Sequence, residues 1–187
     1  MSIGIVFVYF RRFLILSTWF SFSVVASDDV KVTPAAVHEA AHYVYYILSG
    51  NDPSSISKIE VDNSLEGRNY FINQLPLKNV SAVYMSGHYY HWLLVHKKKA
   101  LNNTEFVEFL DYYRASSEYK EHIGSLNKIK LSNNMQFQGF VDTEIQHAKF
   151  FIENRFKIAF PKVKRLALHL VKLKSISGRK ALELVNN

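Results

Sequence analysis

Thr33-Pro-Ala-Ala-Val-His-Glu-Ala-Ala-His-Tyr-Val-Tyr-Tyr-Ile-Leu-Ser-Gly50 reads as one amphipathic helix with both ends marked. Thr33 is suited to cap the first turn, and Pro34 fits the first helical position, where a backbone N–H has no partner to lose. Gly50, with Asn51 and Asp52, closes the helix before Pro53. Within it, His38-Glu39-Ala40-Ala41-His42 is an H-E-x-x-H pattern. Side chains four apart share a helical face, so both imidazoles can converge on one metal ion, with Glu39 beside it to act on a water. The expectation is a zinc hydrolase, with His38 and His42 as ligands and Glu39 as general base.

The surrounding residues carry a family resemblance. Ala36-Val-His-Glu-Ala-Ala-His-Tyr-Val44 resembles the H-E-A-G/A-H-A segment of the peptidase domain of FtsH-type zinc metalloproteases. Ile56-Ser-Lys-Ile-Glu-Val-Asp62 is similar to the strand that follows the zinc helix there, and Val80-Ser-Ala-Val-Tyr-Met-Ser-Gly-His88 to the next helix. Val141-Asp-Thr-Glu-Ile-Gln-His-Ala148 resembles the helix start that supplies a third, acidic ligand. That resemblance leaves two acids in competition. Asp142 matches by residue type and would cap a helix beginning at Thr143; Glu144 matches by register, with Ala148 four residues on, and is narrowly preferred. The family also implies peptide bonds as substrate and an edge strand near Lys58 to Val61 that binds an extended chain by strand addition.

The departures are informative. Ala41 replaces the usual glycine, and Ser86-Gly-His-Tyr-Tyr-His91 stands where the family carries Gly-Gly-Arg and a Glu pair. No G-x-x-x-x-G-K-[ST] occurs, so the resemblance is to the peptidase domain alone, without ATP-driven unfolding. The metzincin extension is absent, because Tyr45 and Leu48 occupy its Gly and third His positions. A thermolysin-like third ligand would be a Glu on a following helix, with Glu105 and Glu108 as candidates. There is no Cys, which excludes cysteine nucleophiles, thiolate zinc sites and disulfides.

Upstream, Phe13 to Ala26 is an uncharged apolar run behind Arg11 and Arg12, and Val24-Val-Ala26 suits signal cleavage. Residues 1–26 are therefore expected to be a signal peptide, with an exported protein (periplasmic or secreted) as the product; the alternative is an uncleaved membrane anchor. Their removal takes away two Arg and no acid, lowering the net charge from +7 to +5. The remaining basic residues are dispersed, which argues against nucleic-acid binding; a polypeptide partner is what the resemblance implies.

With 48% hydrophobic and 14% aromatic residues, residues 27–187 suffice for one core. Periodicity predicts helices at 34–49, 77–97, 104–121, 142–157, 161–174 and 178–185, a β-hairpin within 56–73, and a loop at 125–138. The expected fold is mainly α: a compact helical zincin-like domain with a small hairpin. A second class of reading is a non-catalytic helical envelope protein with a structural or vestigial zinc site. His88 and His91, three apart among aromatics, discriminate: beside His38 and His42 with neither Asp142 nor Glu144 near they favour storage or structure, whereas a cleft in which His38, His42 and one acid converge favours hydrolysis. His122, His147 and His169 read as surface or core residues.

Overall fold

In the computed structural model, which describes residues 31–62, 67–71, 78–130 and 137–186, the quoted stretch forms helix α1 (Pro34–Leu48). Thr33 caps it as expected, its Oγ1 accepting the Ala36 N–H at 3.2 Å. At the other end Gly50 adopts a left-handed φ of 74°, which a glycine takes without a Cβ penalty. The expected amphipathic exposure is not what the helix shows. Ala36, Ala40, Ala41, Tyr43, Val44 and Tyr45 are all fully buried, so α1 is the central helix. Its alanines let neighbouring backbones come close, and its tyrosines satisfy their hydroxyls on carbonyls: Tyr43 donates to Gly178, Tyr45 to Ile152 and Tyr46 to Asp52, at 2.9, 2.9 and 3.0 Å. Each bond avoids the 1–3 kcal/mol, roughly, of an unpaired buried hydroxyl.

Two long helices flank α1: α2 (Val80–Val95) and α5 (Phe137–Leu173). Between them in sequence come α3 (Asn103–Arg114) and α4 (Ser117–Lys130). A single helix was expected over 104–121, but Ser116 divides it. Its Oγ donates to the Tyr113 carbonyl at 2.7 Å and accepts the Tyr119 N–H at 3.1 Å, ending one helix and capping the next. Residues 125–130, expected as loop, are helical; 131–136 lie outside the described residues.

The two helices expected at 142–157 and 161–174 are one, with Pro161 inside. An interior proline costs about 3 kcal/mol. Against that, Ile152, Ala159, Val163, Leu166, Ala167 and Leu170 form a continuous buried stripe through it, and burying one such aliphatic side chain recovers about 2 kcal/mol.

The hairpin is present as β1 (Ile56–Val61) and β2 (Gly67–Phe71), paired antiparallel with Ile59 opposite Asn69. A third strand, β3 (Ser175–Ser177), pairs antiparallel on β1's other side, giving the order β2-β1-β3, and α6 (Gly178–Asn186) follows it directly. The stretch from Lys58 to Val61 is thus the central strand, not the edge expected of it. The fold is mainly helical with a small three-stranded antiparallel sheet. Among the described residues no helix is long and apolar enough to cross a membrane. The signal or anchor expected at 1–26 lies outside them.

Two glycines test this packing in opposite directions. A Cβ on Gly178 would run into the Ile56 carbonyl oxygen, whereas Gly124, inside α4, faces open space. Gly178→Ala is expected to lower the thermal midpoint by several degrees, and Gly124→Ala to raise it by about 3 °C, as read by circular dichroism melts.

Candidate metal centre

His38 and His42 leave α1 from one face, and their Nε2 atoms stand 2.9 Å apart. The His42 ring is fixed from behind, where its Nδ1 donates to the Val83 carbonyl at 2.7 Å. That leaves Nε2 pointing to the centre, the arrangement that holds a ligating imidazole in one tautomer. The acid that meets them is Glu118, on the first turn of α4. Its Oε1 lies 2.9 Å from His38 Nε2 and its Oε2 3.2 Å from His42 Nε2. One donor atom from each of His38, His42 and Glu118 falls within 4.8 Å of the others.

These charges depend on one another. Burial works against the His42 cation, yet the Glu118 carboxylate overcomes it and pushes the imidazole up to about 9. Burial, and then the His42 charge, pushes His38 down to about 4. Glu118 is held well below the usual carboxylate range: desolvation opposes ionisation, but the His42 charge and contacts from His38, His42 and His88 outweigh it.

The donor set fits a divalent cation. Two ring nitrogens face each other across 2.9 Å, and Glu118 Oε1 stands 2.9 Å from the one on His38. Close-set donors of this kind are what a cation would draw together, and two His with one carboxylate suits zinc.

Glu39 lies on the flank of α1 covered by β2 and is only 4% exposed. Asn69 donates Nδ2–H to its Oε2 at 2.6 Å, and Gly67 closes over its side chain so tightly that a Cβ would collide with it. Desolvation raises its pKa to about 7, against the pull of the His42 charge and the Asn69 hydrogen bond. A carboxyl poised near neutrality is suited to accepting and returning a proton. Gly87 makes the matching approach on α2, its missing Cβ leaving the space that the His42 ring fills.

Neither acid expected as third ligand joins the pair. Helix α5 begins at Phe137, so Asp142 is not at a helix start; it is exposed, accepts from Gln138 at 3.0 Å and lies 4.0 Å from Arg114. Glu144 accepts from Ser81 Oγ at 3.2 Å instead. Ser81 in turn meets His122 Nε2 at 2.8 Å, and His122 Nδ1 meets the Tyr113 hydroxyl at 3.0 Å, so Glu144 ends a buried polar chain. The thermolysin-like candidates do not reach the histidines either: Glu105 closes the capping box of α3 and pairs with Lys98 at 2.6 Å, and Glu108 is exposed. Glu118 was signalled only by Ser116, a capping residue inside an otherwise helical run. His88 and His91 also approach, their rings 4.7 and 6.3 Å from that of His38, so both discriminating features occur together.

No protein-family model matches this chain, and no curated protein is similar to it at a significant level.

Two outcomes are expected. Gly87→Ala should push the His42 ring aside and weaken divalent-metal binding about tenfold or more, by isothermal titration, while the helical circular dichroism is kept. The second concerns His122, which burial pushes down to about 4, below its unfolded value of about 6.5. The unfolded chain then takes up a proton that the folded one refuses, so its contribution is complete above pH 6.5 and falls away as the pH drops towards 4. Its size is on the order of 3 kcal/mol. Urea unfolding of His122→Gln should show a correspondingly shallower loss of stability over that window.

Proposed function

We propose that the chain is an ATP-independent zinc metallopeptidase: a compact helical zincin-like domain resembling the FtsH peptidase domain, with Glu118 in place of the family's third acid. The observation that carries this is the convergence of His38, His42 and the Glu118 carboxylate beside a buried Glu39 poised at about 7. His38 Nε2, His42 Nε2 and Glu118 would hold the ion. Zinc held there supplies a Lewis acid, acidifying a coordinated water and polarising the scissile carbonyl.

The remaining roles belong to the chain's own groups. Glu39 takes a proton at Oε1 or Oε2 and returns it to the leaving amine. Asn69 holds that carboxylate in place through Oε2 and so limits the geometries from which it reacts. The outer edge of β2, next to Glu39, is where an extended polypeptide would add as a further strand, with main-chain hydrogen bonds tolerating varied sequences. Export or membrane anchoring through residues 1–26 belongs to the same reading and would put substrate and enzyme outside the cytoplasm. The crowding of His88 and His91 against His38 favours a second reading, a helical envelope protein whose zinc is structural.

Zinc content by elemental analysis and casein cleavage on the same samples separate the two. About one zinc per chain is expected in wild type, Glu39→Gln and Glu144→Gln, and much less in His42→Ala and Glu118→Ala. Cleavage is expected in wild type and to fall at least a hundredfold in Glu39→Gln. Zinc without cleavage in any sample would establish the structural reading, and full zinc in Glu118→Ala would remove Glu118 from the site.

A further inference from the structure

His88 is a buried imidazole, 8% exposed, and neither of its ring nitrogens makes a hydrogen bond. An orphan of this kind is costly, so its surroundings should explain it. Tyr112 and Tyr113 pack its ring from α3, with centroids 5.6 and 5.1 Å away, and His38 packs it from α1 at 4.7 Å. Glu118 Oε2 lies 3.1 Å from its Nε2. That oxygen is itself buried and without a hydrogen bond. Donor and acceptor thus stand at bonding distance but off the bonding axis, a small rotation of either group away from a bond.

His88 is not one of the three mutually close donors; its ring packs on His38, and its polar contact with the set is the second oxygen of Glu118. We infer that His88 is a positioning residue of the metal centre: its Nε2–H holds Glu118 Oε2, so that Oε1, the oxygen beside His38, is the one presented to a divalent cation. The inference rests on the metal reading given above and deepens it. Glu118 needs such a partner more than the histidines do. His42 is locked by Val83, whereas the Glu118 carboxylate sits on a side chain with three rotatable bonds at the first turn of α4. Metal-bound carboxylates held by an outer hydrogen bond lose about 10–100-fold in metal affinity when that bond is removed.

The test uses the full chain, with zinc and cobalt(II) as probes, and compares His88→Phe, which keeps the ring packing and loses the donor, with His88→Gln, which keeps a donor of similar reach. His88→Phe should bind zinc at least tenfold more weakly and shift the cobalt visible absorption. His88→Gln should restore both, although it packs less well. X-ray absorption of the wild-type zinc form should count two imidazoles. A His88→Phe protein with wild-type affinity and cobalt spectrum would overturn the inference, as would weakening in both variants alike. Three imidazoles would also overturn it by making His88 a ligand. A wild-type chain that binds neither metal would overturn the metal reading itself, a result distinct from all of these.

Discussion

Everything at this centre follows from placing a carboxylate and two histidines where water solvates them poorly. Glu118, His38 and His42 are each largely withdrawn from solvent, with side chains 30%, 12% and 13% exposed. A lone buried charge is costly, while removing one member of a paired set leaves the other stranded. The proton on His42 and the charge on Glu118 therefore stand or fall together. A divalent cation resolves the same problem differently, replacing the shared proton by an ion that all three groups can ligate. The protonated, metal-free cluster is a competitor to metal binding at the same atoms, and metal uptake must release protons.

Close approach is the second constraint. Helix α1 is wrapped by α2, α5 and the sheet, and its reactive side chains reach the centre only because neighbouring backbones carry no Cβ where they touch. Gly87 accommodates the His42 ring and Gly67 accommodates Glu39. The two flanks are built separately. The Glu39 flank depends on β2 through Gly67 and Asn69, whereas the histidine flank depends on α2 and α4 through Val83 and Glu118. The two flanks are built by different elements but remain coupled by charge, since the His42 cation pulls on the Glu39 carboxyl.

The parts legible in the sequence are those written locally. Thr33, Pro34 and Gly50 mark α1 by capping and backbone preference, and the i, i+4 spacing puts His38 and His42 on one face without reference to anything else. What was not legible depends on distant partners. Glu118 lies 80 residues from His38, and only tertiary packing brings it there. The Ser116 break was masked because apolar residues keep helical spacing on both sides of it, and Pro161 was read as a boundary because its cost is local while the compensating stripe is not. β3 is three residues long and takes its strand character from pairing with β1, not from its own composition.

The choice of Glu118 over Asp142 and Glu144 can be traced to geometry. Glu118 reaches the two histidines from the first turn of its helix, where the side chain can turn back towards α1. Helix α5 starts at Phe137 and spends its inner face on Val141, Ile145, Ala148 and Ile152, so its acids are committed elsewhere: Asp142 to solvent, and Glu144 to Ser81 at the end of the His122 chain. Helix α4 starts at Ser117 because Ser116 caps it, which leaves Glu118 on a first turn, where unpaired N–H groups favour a carboxylate. A serine hydroxyl that accepts one N–H is thus what places the third donor. A chain with the same H-E-x-x-H helix but no break there would carry the pair of histidines without an acid to complete them.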